Sequence, residues 1–255
     1  MLLQRLQTAS LRKKIKPIPI LLLPYCSQPE QRHQHTHTPV KMSLAQAMKA
    51  HEETLRRQVT ALNVPVTEVV IFKLLCDATQ DALDSIRKDF VLNSATGDGL
   101  LRLSWGTSHD DPKAIIMFVD WRRIQDHWRF WQQPEFETVF ACITKWFEPG
   151  PPVVHHYVFD PPGLIEAEFV RVLVWDNGVA STPTDVIGRV CEKDMDVGLI
   201  RAGFAVDPGA VTRCCALLGY HSEETARTHK FTRKEHTHLV SPEFINGSAW
   251  SKGRG

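Results

Sequence analysis

The sequence predicts an α+β protein made of two βαββαβ units in tandem, with the second unit truncated at its C-terminus. The stretch GLLR at residues 99–102 returns as GLIR at residues 198–201, an offset of 99 residues (198 − 99). Over residues 66–159, some segments have the hydrophobic pattern of a strand and others that of a helix. Their order along the chain is βαββαβ. A rigid DPPG linker follows at residues 160–163, and the same order then restarts.

The first unit shows every element of a ferredoxin-like pattern. Residues 43–62 form an amphipathic helix that precedes the unit. VTEVVIFKLL is rich in β-branched residues and predicts the first strand. The helical spacing in residues 122–147 is divided at Pro134, because proline is tolerated only in the first turn of a helix. The other predicted elements are a helix in TQDALDSIRKDFVLN, a hairpin of GLLRLSWG and AIIMFVDW, and a closing strand in PPVVHHYVF.

The second unit repeats this order but ends early. Its predicted elements are a strand in EAEFVRVLVW, a helix in TPTDVIGRVCEKD, a hairpin of GLIRAGFAV and TRCCALLGY, and a polar helix in SEETARTHKFTRKEHTHLV. A second echo pairs PEF at residues 134–136 with PEF at residues 242–244, after which only 11 residues remain (255 − 244). The fourth strand is therefore expected to be missing. An unpaired edge attracts another chain, so we expect a weak homodimer in addition to the internal pseudo-dimer.

These patterns divide the chain into four segments. Residues 1–41 are a disordered or targeting extension, 42–160 the first unit, 164–246 the second, incomplete unit, and 247–255 a disordered tail. The extension has basic residues and little acid, so a mitochondrial presequence is the alternative to a cytoplasmic protein with an upstream extension. Its alternating His33, His35 and His37 can bind a transition metal, although a solvated tail is the simpler interpretation.

Composition limits the class of partner. Residues 43–255 carry 23 basic and 28 acidic side chains, and such a mildly acidic body argues against nucleic-acid binding. No window reaches the roughly 18 apolar residues that a membrane span needs. The expected partner is a small hydrophobic or aromatic molecule.

Part of the first unit resembles a known family. Asp120 and Trp121 end the third strand, His127 and Phe130 follow on a helix, and a PEF step comes next. This resembles the dimeric α+β barrel superfamily, with the antibiotic-biosynthesis-monooxygenase-like (ABM-like) domains nearest and the stress-responsive A/B-barrel group second. The resemblance implies two sheets packed as a barrel and a pocket between sheet and helices. Some members oxygenate aromatic polyketides without metal or flavin, some degrade haem or cyclise polyketide chains, and many have no known activity.

Histidines are the candidate catalytic groups. His127 lies on an aromatic helix, where a neutral imidazole can act as general base; the alternative is a structural histidine bonded to a carbonyl. His155 and His156 are adjacent on a strand and so point to opposite faces, which excludes one site made of both. His236 and His238, two apart on a predicted helix, diverge, and His109 belongs to a solvated turn.

Aromatic side chains are the candidate substrate-binding residues. Trp105, Trp121, Trp128, Phe130 and Trp131 are close in sequence and either line a planar-ligand pocket or pack in the core. The familiar phosphate-loop, dinucleotide, nucleophile-elbow and HExxH motifs are absent, and we expect no cofactor and no metal.

Three hypotheses therefore remain open. The first is a cofactor-independent monooxygenase or cyclase acting on an aromatic or polyketide-like molecule, with His127 as base. The second is a non-catalytic ligand-binding or stress-responsive barrel. The third is a structural module that pairs with another chain. Fold analogy alone cannot choose among them.

Overall fold

The computed structural model describes residues 63–149, 152–177, 199–207, 209–229 and 235–247. The helices expected at residues 43–62 and 182–194 and the termini at residues 1–41 and 248–255 lie outside these ranges.

Within them the chain forms nine strands and four short helical segments. The strands are β1 (Val66–Lys73), β2 (Leu100–Thr107), β3 (Ala114–Trp121), β4 (Val153–Asp160), β5 (Phe169–Asp176), β6 (Leu199–Ala205), β7 (Arg213–Tyr220), β8 (His236–Val240) and β9 (Glu243–Asn246). The helices are α1 (Gln80–Ser85), which continues through a π-helical stretch (Ile86–Val91) to a last turn (Leu92–Ser94), α2 (Ile124–Phe130), α3 (Pro134–Trp146) and α4 (Glu223–Thr228). Pro134 starts α3, as expected.

All nine strands belong to one antiparallel sheet in the order β8-β5-β7-β6-β4-β1-β3-β2-β9. Apart from β9, the sheet consists of two groups of four strands, β4-β1-β3-β2 and β8-β5-β7-β6. In both groups the spatial order is the fourth, first, third and second strand along the chain. The groups join where β4 pairs with β6. At the far ends, Ser108 bridges Val240 and the His109 N–H donates to the Leu239 carbonyl over 2.7 Å. The sheet therefore curls until its two edges meet, which confirms the predicted α+β barrel class.

The apolar core has three parts. One lies between the first strand group and α1 to α3, and another lies on the helix-facing side of the second group. The third combines Val69 and Phe118 from the first group with Val172 and Leu217 from the second. Because the two groups bury their inner faces together, the expected internal pairing of the units is confirmed.

The prediction of a missing fourth strand is wrong. α4 ends at Thr228, and β8 pairs with β5 along its whole length. HTHLV was assigned to a polar helix, but Thr and Val favour strands, and Leu239 and Val240 bury on opposite faces. Since β8 occupies that edge of β5, the sheet needs no second molecule there.

The two sequence echoes have different outcomes. Residues 100–102 and 199–201 both begin the second strand of their group. The PEF echo is misleading, because Pro134 starts a helix whereas Pro242 precedes β9, which pairs with β2. Gly247, assigned to the tail, donates its N–H to the Leu101 carbonyl over 2.9 Å.

Among the described helices, none has the length and apolar character required to cross a membrane.

Candidate active site

The candidate site lies on the helix-facing side of the first strand group. Glu68 of β1 is directly opposite His156 of β4, so both side chains emerge from the same face of the sheet. Trp121 ends β3 on that face, and α2 brings His127 over it. All four side chains are buried, with 6%, 4%, 1% and 5% exposure for Glu68, His156, Trp121 and His127.

The His127 ring is fixed by three neighbouring rings. It stacks on Trp121 with centroids 4.9 Å apart and an interplanar angle of 20°. Trp131 meets it edge-on at 4.7 Å. Its Nδ1 lies 2.8 Å from Nε2 of His156, so one of these two nitrogens carries the shared hydrogen.

The position of α2 depends on a buried carboxylate. Asp126 has no exposed surface and pairs with Arg122, Arg123 and Arg129. It lies against Gly99, whose φ is +88°, and a Cβ at Gly99 would stand 2.6 Å from Cβ of Asp126. The glycine of the repeated GLLR motif therefore allows α2 to approach the sheet.

Two carboxylates complete the cluster. The Trp121 indole donates to Oε2 of Glu68 over 3.0 Å, and the same oxygen is 3.6 Å from Nδ1 of His127. Asp207, just after β6, accepts the backbone N–H of His156 over 2.7 Å and bonds to its Nδ1 over 2.9 Å. The second strand group thus supplies one residue to a cluster built on the first.

Burial and charge act differently on the two carboxylates. Burial raises the pKa of Glu68, against the opposing effects of the His156 charge and the Trp121 hydrogen bond. Burial acts in the same sense on Asp207, but the charge and hydrogen bonds of His156 outweigh it and lower its pKa. Asp207 is therefore the more strongly ionised member.

The two imidazoles also differ. Burial, followed by the charge of His156, lowers the pKa of His127 well below its ordinary value. Burial would also lower the pKa of His156, but Asp207, by charge and hydrogen bond, and Glu68 outweigh it and raise that pKa. His156 is thus the more basic imidazole of the pair, and His127 is the one that more readily stays neutral.

The cluster contains a group of residues that could hold a metal ion. One ligand atom each from Glu68, His127 and His156 lies within 4.8 Å of the others, and all three residues are buried.

His236 and His238, expected to diverge on a helix, instead share one face of β8.

The structure separates the other predicted site residues. His155 points to the barrel side, where burial lowers its pKa to about 4. Its ring still approaches Asp207, with Nδ1 at 3.9 Å, so the carboxylate reaches both adjacent histidines despite their opposite faces. Trp128 and Phe130 pack in the core near the cluster. Trp105 belongs to a different contact, because its indole donates to Glu243 over 3.0 Å.

Sequence reasoning missed Glu68 and Asp207. Glu68 could have been noticed as the one carboxylate in the mostly apolar stretch VTEVVIFK, since buried carboxylates need partners. Asp207 had no local signal, because it is 51 residues from His156 and meets it only through the pairing of β4 with β6.

The second strand group carries a related but different arrangement. Asp110, in the β2–β3 turn, accepts the Leu239 N–H over 2.7 Å, as Asp207 accepts that of His156. Arg171 is opposite Leu239 on β5, as Glu68 is opposite His156 on β1, and pairs with Asp110. In the second group an arginine and a leucine thus take the places of the glutamate and the histidine.

No protein-family model matches the sequence, and no curated protein matches it significantly. Solved structures do match the fold. A "Putative monooxygenase" from Fusobacterium nucleatum aligns over 73% of this chain and 95% of its own, with 13% identity and a TM-score of 0.50. An anthrone oxidase-like protein aligns over 73% and 94%, with 12% identity and a TM-score of 0.52. At such identities the likeness establishes the fold alone, an α+β barrel built on a curled antiparallel sheet.

Proposed function

We propose that the protein is an ABM-like monooxygenase that oxidises a small aromatic, polyketide-like molecule with molecular oxygen and without an organic cofactor. The observation that carries the proposal is the buried polar cluster of Glu68, His127, His156 and Asp207, enclosed by tryptophans. Burying four ionisable groups is costly, and a purely structural core seldom retains them. The names of the Fusobacterium protein and the anthrone oxidase-like protein agree with oxygen chemistry.

The aromatic surroundings suit a planar substrate. Trp121 and Trp131 both contact the His127 ring, and Trp131 is partly exposed while Trp121 is buried. A flat aromatic molecule would therefore reach His127 past Trp131 and stack on indole faces. Exclusion of water around these rings would protect a reactive carbanion.

The reaction we propose balances with oxygen as the only oxidant. With Nδ1–H of His127 donated to Nε2 of a neutral His156, Nε2 of His127 takes a proton from an activated CH₂ group. The resulting carbanion adds O₂ to give a peroxide. The peroxide takes up a proton and eliminates water, so that CH₂ becomes C=O and the second oxygen atom leaves in water. The substrate loses four electrons and O₂ gains them. Glu68 and Asp207 balance the positive charge that develops on the imidazoles.

Oxygen consumption with a hydroxylated anthrone as probe tests this proposal. The wild type is expected to consume oxygen and form the ketone, whereas His127→Ala should lose turnover by at least about 100-fold, the usual contribution of a general base. His221→Ala is the control, because that histidine is exposed and outside the cluster and should leave turnover within a few-fold. Quenching of tryptophan fluorescence without oxygen consumption would reject the enzyme and support a ligand-binding barrel instead.

A further inference from the structure

We propose that Glu68, His127 and His156 form a binding site for one divalent first-row transition-metal ion. The site goes beyond the proposed oxidation and does not depend on it. The ligands would be Nδ1 of His127, Nε2 of His156 and a carboxylate oxygen of Glu68.

The spacing of these atoms suits a single ion. Ligand bonds of about 2.0–2.2 Å place two ligands of one ion about 2.8–4.2 Å apart. His127 Nδ1 and His156 Nε2 are 2.8 Å apart, and His127 Nδ1 and Glu68 Oε2 are 3.6 Å apart. Two imidazoles and one carboxylate are a donor set typical of iron, cobalt and zinc, and three protein ligands leave positions open for a further molecule.

Hydrogen bonds outside the three ligands already orient them. Nδ1 of His156 is engaged by Asp207 over 2.9 Å, which leaves its Nε2 facing the cluster. The Asp207 carboxylate is itself held by the His156 backbone N–H over 2.7 Å. The Trp121 indole fixes the Glu68 carboxylate over 3.0 Å. A carboxylate behind a ligating histidine is a common arrangement in metal sites.

The charges also balance when a metal is bound. Metal ligands must be deprotonated, so a bound ion would require an ionised Glu68 and two neutral imidazoles. With the Asp207 carboxylate the cluster would then sum to −2, which a divalent ion cancels. In the second strand group the corresponding aspartate, Asp110, faces the permanent cation of Arg171. The fold thus places a positive charge beside the aspartate in one half, and a metal ion would supply it in the other.

Metal binding and proton transfer would exclude each other at this cluster. A bound ion occupies the imidazole nitrogens that share a hydrogen over 2.8 Å. The proposed oxidation therefore belongs to the metal-free form, and added metal should inhibit it.

Titration of chelator-treated, tag-free full-length protein with Co²⁺ tests the site. We expect visible d–d absorption that saturates at one ion per chain, with Zn²⁺ displacing Co²⁺. The titration is performed on the triple variant with His33, His35 and His37 replaced by alanine, because this histidine-rich segment would otherwise compete.

Variants assign the ligands. His156→Ala and His127→Ala should lose the saturating absorption, and Asp207→Asn should weaken binding about 10–100-fold without removing a ligand. His221→Ala, at an exposed histidine away from the cluster, is the control and should bind as the parent does. Glu68→Gln provides a milder ligand change, and the melting temperature of each metal-free variant identifies any that fail to fold.

Two results would overturn the site: no Co²⁺ uptake by the parent protein, or uptake that survives both His127→Ala and His156→Ala. Since the titration needs no substrate, a protein that binds Co²⁺ but never consumes oxygen with the anthrone refutes the proposed function alone. Loss of oxygen consumption by the variants with no Co²⁺ uptake refutes the metal site alone.

Discussion

Asp207 holds His156 at two points, because one carboxylate oxygen accepts its backbone N–H over 2.7 Å and the other lies 2.9 Å from its Nδ1. The two residues belong to different strand groups, so this contact also links the halves of the barrel beside the β4–β6 pairing. The geometry of the candidate site and the stability of the junction therefore depend on the same carboxylate.

Asp207→Ala should destabilise the protein strongly. Removal of one partner from a buried charged pair typically costs about 3–5 kcal/mol, because the other group is left without its counter-charge. Urea unfolding monitored by tryptophan fluorescence measures the loss. The exposed Glu224 gives a matched control, and Glu224→Ala should change the free energy of unfolding by less than about 0.5 kcal/mol. Equal losses in the two variants would contradict the role assigned to Asp207.

Trp121→Phe should cost about 1–3 kcal/mol, because it leaves the buried Glu68 carboxylate without its indole donor. The phenyl ring preserves most of the stacking on His127, so the loss should come mainly from the hydrogen bond. Trp131→Phe is the comparison, since Trp131 meets the same imidazole edge-on but is partly exposed. We expect a smaller loss of unfolding free energy for that variant. If Trp131→Phe proved the more destabilising, the Trp121–Glu68 bond would not be the important contact.

Local patterns predicted most of the fold. Near-continuous apolar runs identified β1, β3 and β7, since strands buried on both faces contain few polar side chains. Pro134 fixed the start of α3. β8 was not predicted, because only Leu239 and Val240 of its five residues are fully buried. Its other side chains are polar, as are most of those in the segment before it.

The candidate site was predicted only in part. His127 stood out locally because its helix is rich in aromatic residues. Its convergence with Glu68 and His156 depends on the register of β1 with β4, and that register is a property of the assembled sheet. Asp207 depends in addition on how the two strand groups join. Neither relationship leaves a periodic signal in the sequence.

Gly99→Ala should destabilise the protein more than Gly163→Ala. Both glycines have positive φ, +88° and +89°, so both substitutions carry backbone strain of about 1–3 kcal/mol. A Cβ at Gly163 meets only Asp120 at an ordinary 3.7 Å, whereas one at Gly99 overlaps the Asp126 side chain. Overpacking should add about 1–3 kcal/mol at Gly99 alone.

The displacement of α2 provides a second readout of Gly99→Ala. Because Asp126 precedes His127 on that helix, the His127 side-chain NMR signals should shift in Gly99→Ala and stay unchanged in Gly163→Ala. Equal destabilisation of the two variants, with the His127 signals unmoved, would show that the overlap is relieved without moving α2.

The attachment of β9 should loosen at acidic pH. Glu243 receives two nitrogens of Arg87 at 3.0 and 2.6 Å and the Trp105 indole at 3.0 Å. The hydrogen bond from Arg87 lowers the pKa of Glu243 below its ordinary value of 4.5, with Trp105 acting in the same sense.

A carboxylate whose pKa is lower in the folded state stabilises the fold at any pH above its pKa in the unfolded state. That stabilisation is lost as the pH falls through its pKa in the folded state. The protection of the Gly247 N–H against hydrogen exchange, relative to the intrinsic rate of the amide, should therefore fall below pH 4.5, while β1 amides keep theirs. This N–H bonds to the Leu101 carbonyl beside β9. Glutamine does not titrate in this range, so in Glu243→Gln the protection of the Gly247 N–H should be independent of pH. An identical acid response in the wild type and Glu243→Gln would contradict the role of this carboxylate in holding β9 against β2.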